Sequence, residues 1–287
     1  MGRCFLLSFF LGSVLSYGVQ CTSRSGLDWT ERESPESHFE LAAGPSPAKQ
    51  PFKGIKVLMY HNVTKTPVQS SDVSEANFVQ QMDFLLQKGY KTLTIDEYIS
   101  QVSKPTAAAP KQVLLTFDDG YLSNAEFVKE QLTARKMKAV FFVVTGFQGH
   151  GGQGTASGLP HMTWEQAKQL HQSELFDVHN HSRFHSSLLK DFGDRTSGRD
   201  GEEWKKEMDE AQASLELELG SKPRVMAYPF GDYDKKVLDH ISKQGFKAAF
   251  SVDERGDFGH PGILSIPRIG VGKDVTNLKD FQNRGLF

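Results

Sequence analysis

The sequence predicts an α/β fold built on a mainly parallel sheet, and three observations predict it. Strand-length apolar runs alternate with helix-length segments through residues 55–252, and repeated strand–helix units pair their strands in parallel through right-handed crossovers. Gly89, Gly220 and Gly245 each follow a helix-length segment, where a left-handed C-cap belongs. His61, Asp118, Asp119, His181 and the 228–230 segment all fall at or just after the end of an expected strand. The first strand is expected at 55–60, followed by a helix at 75–88 that stops at Gly89. Strand 113–117 precedes helix 122–135, and strand 139–144 precedes helix 164–172. Strand 176–180 precedes helix 203–219, which ends at Gly220. Strand 224–228 precedes helix 233–244, which ends at Gly245, and strand 248–252 comes last.

Leu114-Leu115-Thr116-Phe117-Asp118-Asp119-Gly120-Tyr121 is the most informative segment. It puts two carboxylates at the end of an apolar strand, with a glycine turn after them. Adjacent strand side chains point to opposite faces. A turn beginning at Asp119 relaxes that rule and lets both carboxylates reach one cleft. Such a pair suits a site that uses one as a metal ligand and the other as a base. Taken alone, Asp-Asp-Gly reads first as an ordinary turn; the downstream residues change that reading.

His181 and His185 lie four residues apart, after the apolar stretch Leu175-Phe176-Asp177-Val178. If the chain leaves the strand in a helical turn, this spacing puts both imidazoles on one face. Neutral imidazoles suit Zn, Co, Ni or Fe. One Asp and two His supply three ligands with a single negative charge. A divalent ion held this way keeps positive charge and open positions, as catalytic sites do. A pair of solvated surface histidines is the competing reading. On a strand His179 shares the face of His181, as a third imidazole or as a hydrogen-bonding neighbour. A third segment, Ala227-Tyr228-Pro229-Phe230-Gly231, combines a proline-fixed backbone with a glycine reversal, which can aim a backbone N–H at a ligand oxygen.

In this order and at these separations, the three segments resemble the polysaccharide deacetylases, the NodB-homology enzymes of carbohydrate esterase family 4, over about residues 55–270. Val57-Leu58-Met59-Tyr60-His61-Asn62-Val63, Met162-Thr163-Trp164 and Ile266-Pro267-Arg268-Ile269 are similar to the biofilm-associated branch, which de-N-acetylates poly-β-1,6-N-acetyl-D-glucosamine. Two features depart from the pattern. That branch usually has one more residue between its two metal histidines. The arginine that opens the third motif in many relatives is replaced here by Ala227 or Tyr228, with Arg268 as its substitute.

The resemblance implies a distorted, incomplete (β/α) barrel of the polysaccharide deacetylase type, with its chemistry at the C-terminal ends of the strands. It implies that Asp119, His181 and His185 hold one divalent metal, Zn first, with Co, Ni or Fe as alternatives. Asp118 is the implied base and Arg268 fixes its orientation. A backbone N–H near Phe230 is the implied oxyanion donor. Many relatives take their general acid from a histidine near the C-terminus; none follows His260 here, and His61 takes that role. Tyr228 and Tyr121 are expected beside the substrate, with Tyr121 and Trp164 able to stack on sugar rings. The implied partner is a polysaccharide rich in N-acetylglucosamine. Peptidoglycan or chitin-type polymers stay open as substrates, and so does non-catalytic glycan binding on the same fold.

The chain has 287 residues and a formal net charge of −2. It has no basic block, which argues against nucleic acid as a partner. Met1-Gly2-Arg3, the apolar run at 4–15 and Ser16-Tyr17-Gly18 resemble a secretory signal over residues 1–18, too short for a membrane span. Gln20 does not suit lipidation of Cys21. The expectation is export, to a periplasmic, extracellular or cell-surface location, with envelope association and a retained anchor left open. Residues 19–51 are rich in Ser, Glu, Pro and Gly and read as a disordered linker. Residues 52–287 are expected to be a single deacetylase domain. Both cysteines precede residue 22, so that domain has no disulfide. The glycine-rich stretch 146–158, with His150 inside it, reads equally as a flap beside the site or as a solvated insertion.

Overall fold

The computed structural model describes residues 54–104, 108–152, 155, 157–189, 203–252 and 262–283. The expected signal (1–18), the linker (19–51) and His260 lie outside the described residues. Strand β1 (Lys56–Tyr60) leads to a small parallel ladder of β2 (Val63–Thr64) and β3 (Val73–Ser74). Helix α1 (Glu75–Gln87) starts where the Ser74 hydroxyl accepts from Asn77 N–H, and Gly89 follows it at φ 75°. Next come β4 (Lys91–Thr92), α2 (Ile95–Val102) and β5 (Gln112–Phe117). A π-helical turn at Asn124–Val128 runs into α3 (Lys129–Ala134). The series continues with β6 (Ala139–Val143), α4 (Trp164–His171), β7 (Phe176–Asn180), α5 (Glu203–Leu219), β8 (Val225–Ala227), α6 (Lys235–Gln244), β9 (Ala248–Phe250), β10 (Ile269–Gly270) and α7 (Leu278–Asn283).

The main sheet has the order β10-β1-β5-β6-β7-β8-β9, with β4 also on β5, and every pairing is parallel. Its two edges approach through one segment: Ile266 bridges to Phe250 of β9, and Ile269 pairs with Leu58 of β1. The result is the expected incomplete barrel. All six residues of β5 are buried, as they must be where a parallel sheet is covered on both faces. Leu115, Phe117, Phe141, Val143 and Val178 pack toward α1, α3 and α4, while Leu114, Val140, Phe142, Ala227 and Phe250 form a second cluster with Tyr98 of α2.

The expected strands and helices all occur, with shifted ends, and four short strands add to them. Strands β2, β3, β4 and β10 have two residues each, too few to leave a periodic trace. Helix α2 is a further addition, opened by a reciprocal capping box between Thr94 and Glu97. The helix expected at 122–135 has a π-wound beginning. Ser123, at its N-terminus, makes no capping bond; its hydroxyl donates to Asn62 Oδ1 instead.

Candidate active site

Register delivers the first two side chains of the site. Tyr60 pairs with Phe117, and Phe117 with Phe141. Their rings stack at 5.2 Å and 5.1 Å within the helix-facing core. Because successive side chains alternate, the next residues, His61 and Asp118, turn to the opposite face, where both line a cleft of about 500 Å³. Asp119 adopts φ 70°, a left-handed conformation that costs energy for a residue with a Cβ. That turn brings the second carboxylate into the same cleft. Gly120 at φ 75° completes it where a Cβ would meet Val143 at 3.0 Å.

The two histidines arrive by a different route from the helical turn expected. Ser182 (φ 66°) and His185 (φ 57°) are left-handed, and the loop is tied by side chains. Asn180 Oδ1 accepts from Ser182 N–H at 2.7 Å, and the Ser182 hydroxyl accepts from His185 N–H at 3.0 Å. Asn and Ser bond to nearby backbone readily, which stabilises turns over helix. The rings of His181 and His185 end 4.9 Å apart. Thr145 and Gly146 donate their N–H groups to Ser182 O and Arg183 O, which pins this loop to the exit of β6.

Asp119, His181 and His185 have ligand atoms that all lie within 4.8 Å of one another. Asp119 Oδ1 lies 3.3 Å from His181 Nε2 and 3.4 Å from His185 Nε2, yet it is buried without a hydrogen-bond partner. His181 Nδ1 faces Ala227 O at 2.9 Å. A carbonyl only accepts, so Nδ1 holds the ring proton and, in the neutral imidazole, Nε2 presents a lone pair. Lone pairs converging on one point call for a cation between them, and two imidazoles with one carboxylate suit a divalent ion. Burial alone would raise the Asp119 carboxyl. His181, His61 and His185 override it and hold the group well below the usual carboxylate range. Burial also disfavours a charged His181, but Asp118 and Asp119 outweigh it and raise that imidazole. His185 is lowered to about 4, first by burial and then by His181.

Asp118 is the other half of the site. Its N–H donates to Tyr60 O, and its carboxylate receives two hydrogen bonds from Arg268, Nη1 to Oδ1 at 2.7 Å and Nη2 to Oδ2 at 2.6 Å. Arg268 is fully buried; its Nε donates to Ser251 O and its Nη1 also reaches Thr116 Oγ1. Burial pushes the Asp118 carboxyl up, and the guanidinium with His181 more than reverses this, holding it below its ordinary value. His181 Nε2 is 3.9 Å from Asp118 Oδ2, so Asp118 adjoins the cluster of Asp119, His181 and His185.

The remaining expected residues divide. Tyr121 lines the cleft, with its ring 4.9 Å from that of His161. Phe230, at φ 57°, holds a 57% exposed ring 4.5 Å from His185 at the rim. Tyr228 is among the residues that line the cleft; its ring is buried and stacks on Tyr233, and its hydroxyl donates to Leu264 O at 2.7 Å. Trp164 packs against the core instead of the cleft. His179 is buried on β7, lowered to about 3 by burial, and stands outside the ligand cluster. Of the glycine-rich stretch, Phe147 and Ser157 line the cleft and His150 does not. The cleft also takes Met59, Gln69, Ser70, Ser71 and His161. Met59 belongs to the segment that carries His61; no motif marked the other four, and only the fold assembles them.

The polysaccharide deacetylase profile matches residues 106–249. The chain belongs to the polysaccharide deacetylase family. It is therefore a hydrolase of N-acetyl amide bonds, and the family is metal-dependent. YxkH of Bacillus subtilis is 24% identical, over 96% of each chain. The poly-beta-1,6-N-acetyl-D-glucosamine N-deacetylase of Staphylococcus aureus is 25% identical over 83% of this chain and 86% of its own. The structure of IcaB from Ammonifex degensii superposes with a TM-score of 0.67 and 29% identity, covering 82% of this chain and 97% of that one. The deacetylase thus shares its parallel half-barrel fold with that structure.

Proposed function

We propose that this deacetylase is an exported, zinc-dependent enzyme that removes N-acetyl groups from poly-β-1,6-N-acetyl-D-glucosamine. The observation that carries the chemistry is the convergence of Asp119, His181 and His185 beside an Asp118 clamped by Arg268, with His61 lining the same cleft. The name of the Staphylococcus aureus relative supports the choice of polymer. The signal-like character of residues 1–18 supports export.

Asp119, His181 and His185 would hold the ion, which when bound would supply Lewis-acid polarisation of the acetamide carbonyl and a more acidic water. Asp118 is kept ionised by Arg268 and accepts a proton as water oxygen bonds to the acetyl carbon. A backbone N–H near Phe230 faces the developing oxyanion. As the C–N bond breaks, His61 gives a proton to the departing nitrogen. The products are acetate and a free amine on the sugar. Tyr121 borders the cleft as a wall for the sugar ring.

A second reading keeps this chemistry and changes the polymer to peptidoglycan or a chitin-type chain. The spacing of His181 and His185 favours it, being that of the wider family. Acetate release from β-1,6 and β-1,4 N-acetylglucosamine oligomers, with Zn, Co or Ni and with chelator, tests both. Zinc-dependent release that is faster from the β-1,6 oligomer supports the first reading. Faster release from β-1,4 oligomers replaces it with the second, and release untouched by chelator sinks the role given to the metal.

A further inference from the structure

We propose that Asn62, gripped by Asp72 and Ser123, is a positioning residue for His61. The proposal rests on the role of general acid given to His61 above. Among the described residues no hydrogen bond holds the His61 ring itself, so its direction depends on the main chain that carries it. Asn62 is the next residue, and it is only 7% exposed. Both ends of its amide are engaged. Nδ2 donates to Asp72 Oδ1 at 3.0 Å, and Oδ1 accepts from the Ser123 hydroxyl at 2.9 Å. Its carbonyl accepts from Val73 N–H at 2.9 Å.

The two partners belong to segments that send other residues into the cleft lining, Gln69 to Ser71 before Asp72 and Asp118, Asp119 and Tyr121 before Ser123. Asp72 is 2% exposed, and its other oxygen accepts from Val68 N–H and Gln69 N–H, each at 2.8 Å. One carboxylate therefore binds the β1 exit to the turn that puts Gln69, Ser70 and Ser71 in the cleft wall. Hydrogen bonds to an ionised acceptor are the strong ones, which suits a device that must hold a fixed angle. Ser123 follows the Asp118–Tyr121 turn closely and forgoes capping its own helix to bond Asn62. Its hydroxyl also accepts from Val63 N–H at 3.3 Å. Asn62 thus joins the strand exit bearing the acid to the strand exit bearing the base and a metal ligand. A general acid contributes only while it stays within reach of the departing nitrogen, and small displacements are costly.

A double-mutant cycle with zinc-loaded full-length enzyme on the β-1,6 oligomer tests this. Asn62→Ala is expected to lower kcat about tenfold with KM within about twofold, and to add less than about twofold to the loss caused by His61→Ala. A similar loss in both backgrounds overturns the proposal, because a structural defect multiplies with His61→Ala. Ser123→Ala is expected to repeat the pattern more weakly and keeps the test alive if Asn62→Ala does not fold. Crystal structures of the variants give a readout free of turnover. His61 is expected to move while Asp118, Asp119, His181 and His185 stay; an unmoved His61 overturns the proposal. Wild-type enzyme inactive on every oligomer counts instead against the function above, and the crystal comparison still decides this one.

Discussion

Arg268 grips Asp118 with two parallel hydrogen bonds, across 150 positions of sequence and with both side chains buried. In the role expected of it, the guanidinium replaces the arginine of the usual third motif from the segment that joins the β9 and β1 edges of the sheet. Replacing it with Met leaves a buried carboxylate without its cation. The expected destabilisation is about 3–5 kcal/mol, read by denaturant unfolding at neutral pH. The carboxyl of Asp118 is now held low, so it is ionised and competent down to acid pH. Without Arg268 its pKa rises, and the acid limb of kcat/KM is expected to move to higher pH. An unmoved limb would remove Asp118 from the role of base.

Metal binding is expected to stabilise the fold and to release a proton. His181 is raised above its ordinary value, so near neutral pH an ion competes with a proton there; His185, lowered to about 4, is already neutral. Affinity is expected to fall as the pH drops through the range where His181 protonates. A hundredfold excess of zinc over its Kd is worth about 2.7 kcal/mol of added stability. Calorimetric titration in two buffers and thermal unfolding check this. A zinc shift that survives in both Asp119→Asn and His181→Ala would falsify the ligand assignment.

His61→Ala is expected to cut acetate release by about 10²–10⁴-fold, the usual contribution of a general acid. The zinc-induced shift in Tm should persist, because His61 lies outside the ligand cluster. Steady-state kinetics beside a melting curve separates the two effects. A rate close to wild type would transfer the proton to another group.

Gly146 is needed for contact rather than conformation. A Cβ there would sit 2.5 Å from the Phe184 ring and 2.6 Å from Arg183 O. Gly146→Ala is expected to displace the loop that carries His185, costing about 1–3 kcal/mol and weakening zinc binding. Zinc affinity equal to wild type would show that the loop is held independently of β6.

Tyr228→Phe separates a role of the hydroxyl in the fold from one at the substrate. Its hydroxyl bonds Leu264 O in the core, so the variant is expected to lose about 1 kcal/mol of stability with kcat/KM nearly unchanged. A large fall in kcat/KM with stability intact would return Tyr228 to the substrate.

Much of this was legible in the residue order. Runs such as residues 113–117 and 139–144 are strands because they are apolar enough to be buried on both sheet faces. Gly89, Gly220 and Gly245 end helices because their backbones are left-handed. The two-residue strands β4 and β10 were not legible, since pairing with β5 and β1 rather than local preference makes them extended. The Thr94–Glu97 capping box is a local helix-start signal, but the helix it opens has only eight residues, Ile95–Val102.

The sequence by itself determined the strand–helix alternation and the set of groups able to do the chemistry, because burial periodicity and side-chain type are local properties. It placed His61, Asp118, Asp119 and His181 at strand ends for the same reason. Only the tertiary structure decided that the Tyr228 hydroxyl bonds Leu264 O, that Asp72 and Ser123 hold Asn62, and that Gln69 and His161 line the cleft with Tyr121. Those relations depend on sheet register and on the closure of β9 toward β1 through residues 266–270. They bring together residues far apart in the chain, at distances that no local pattern encodes.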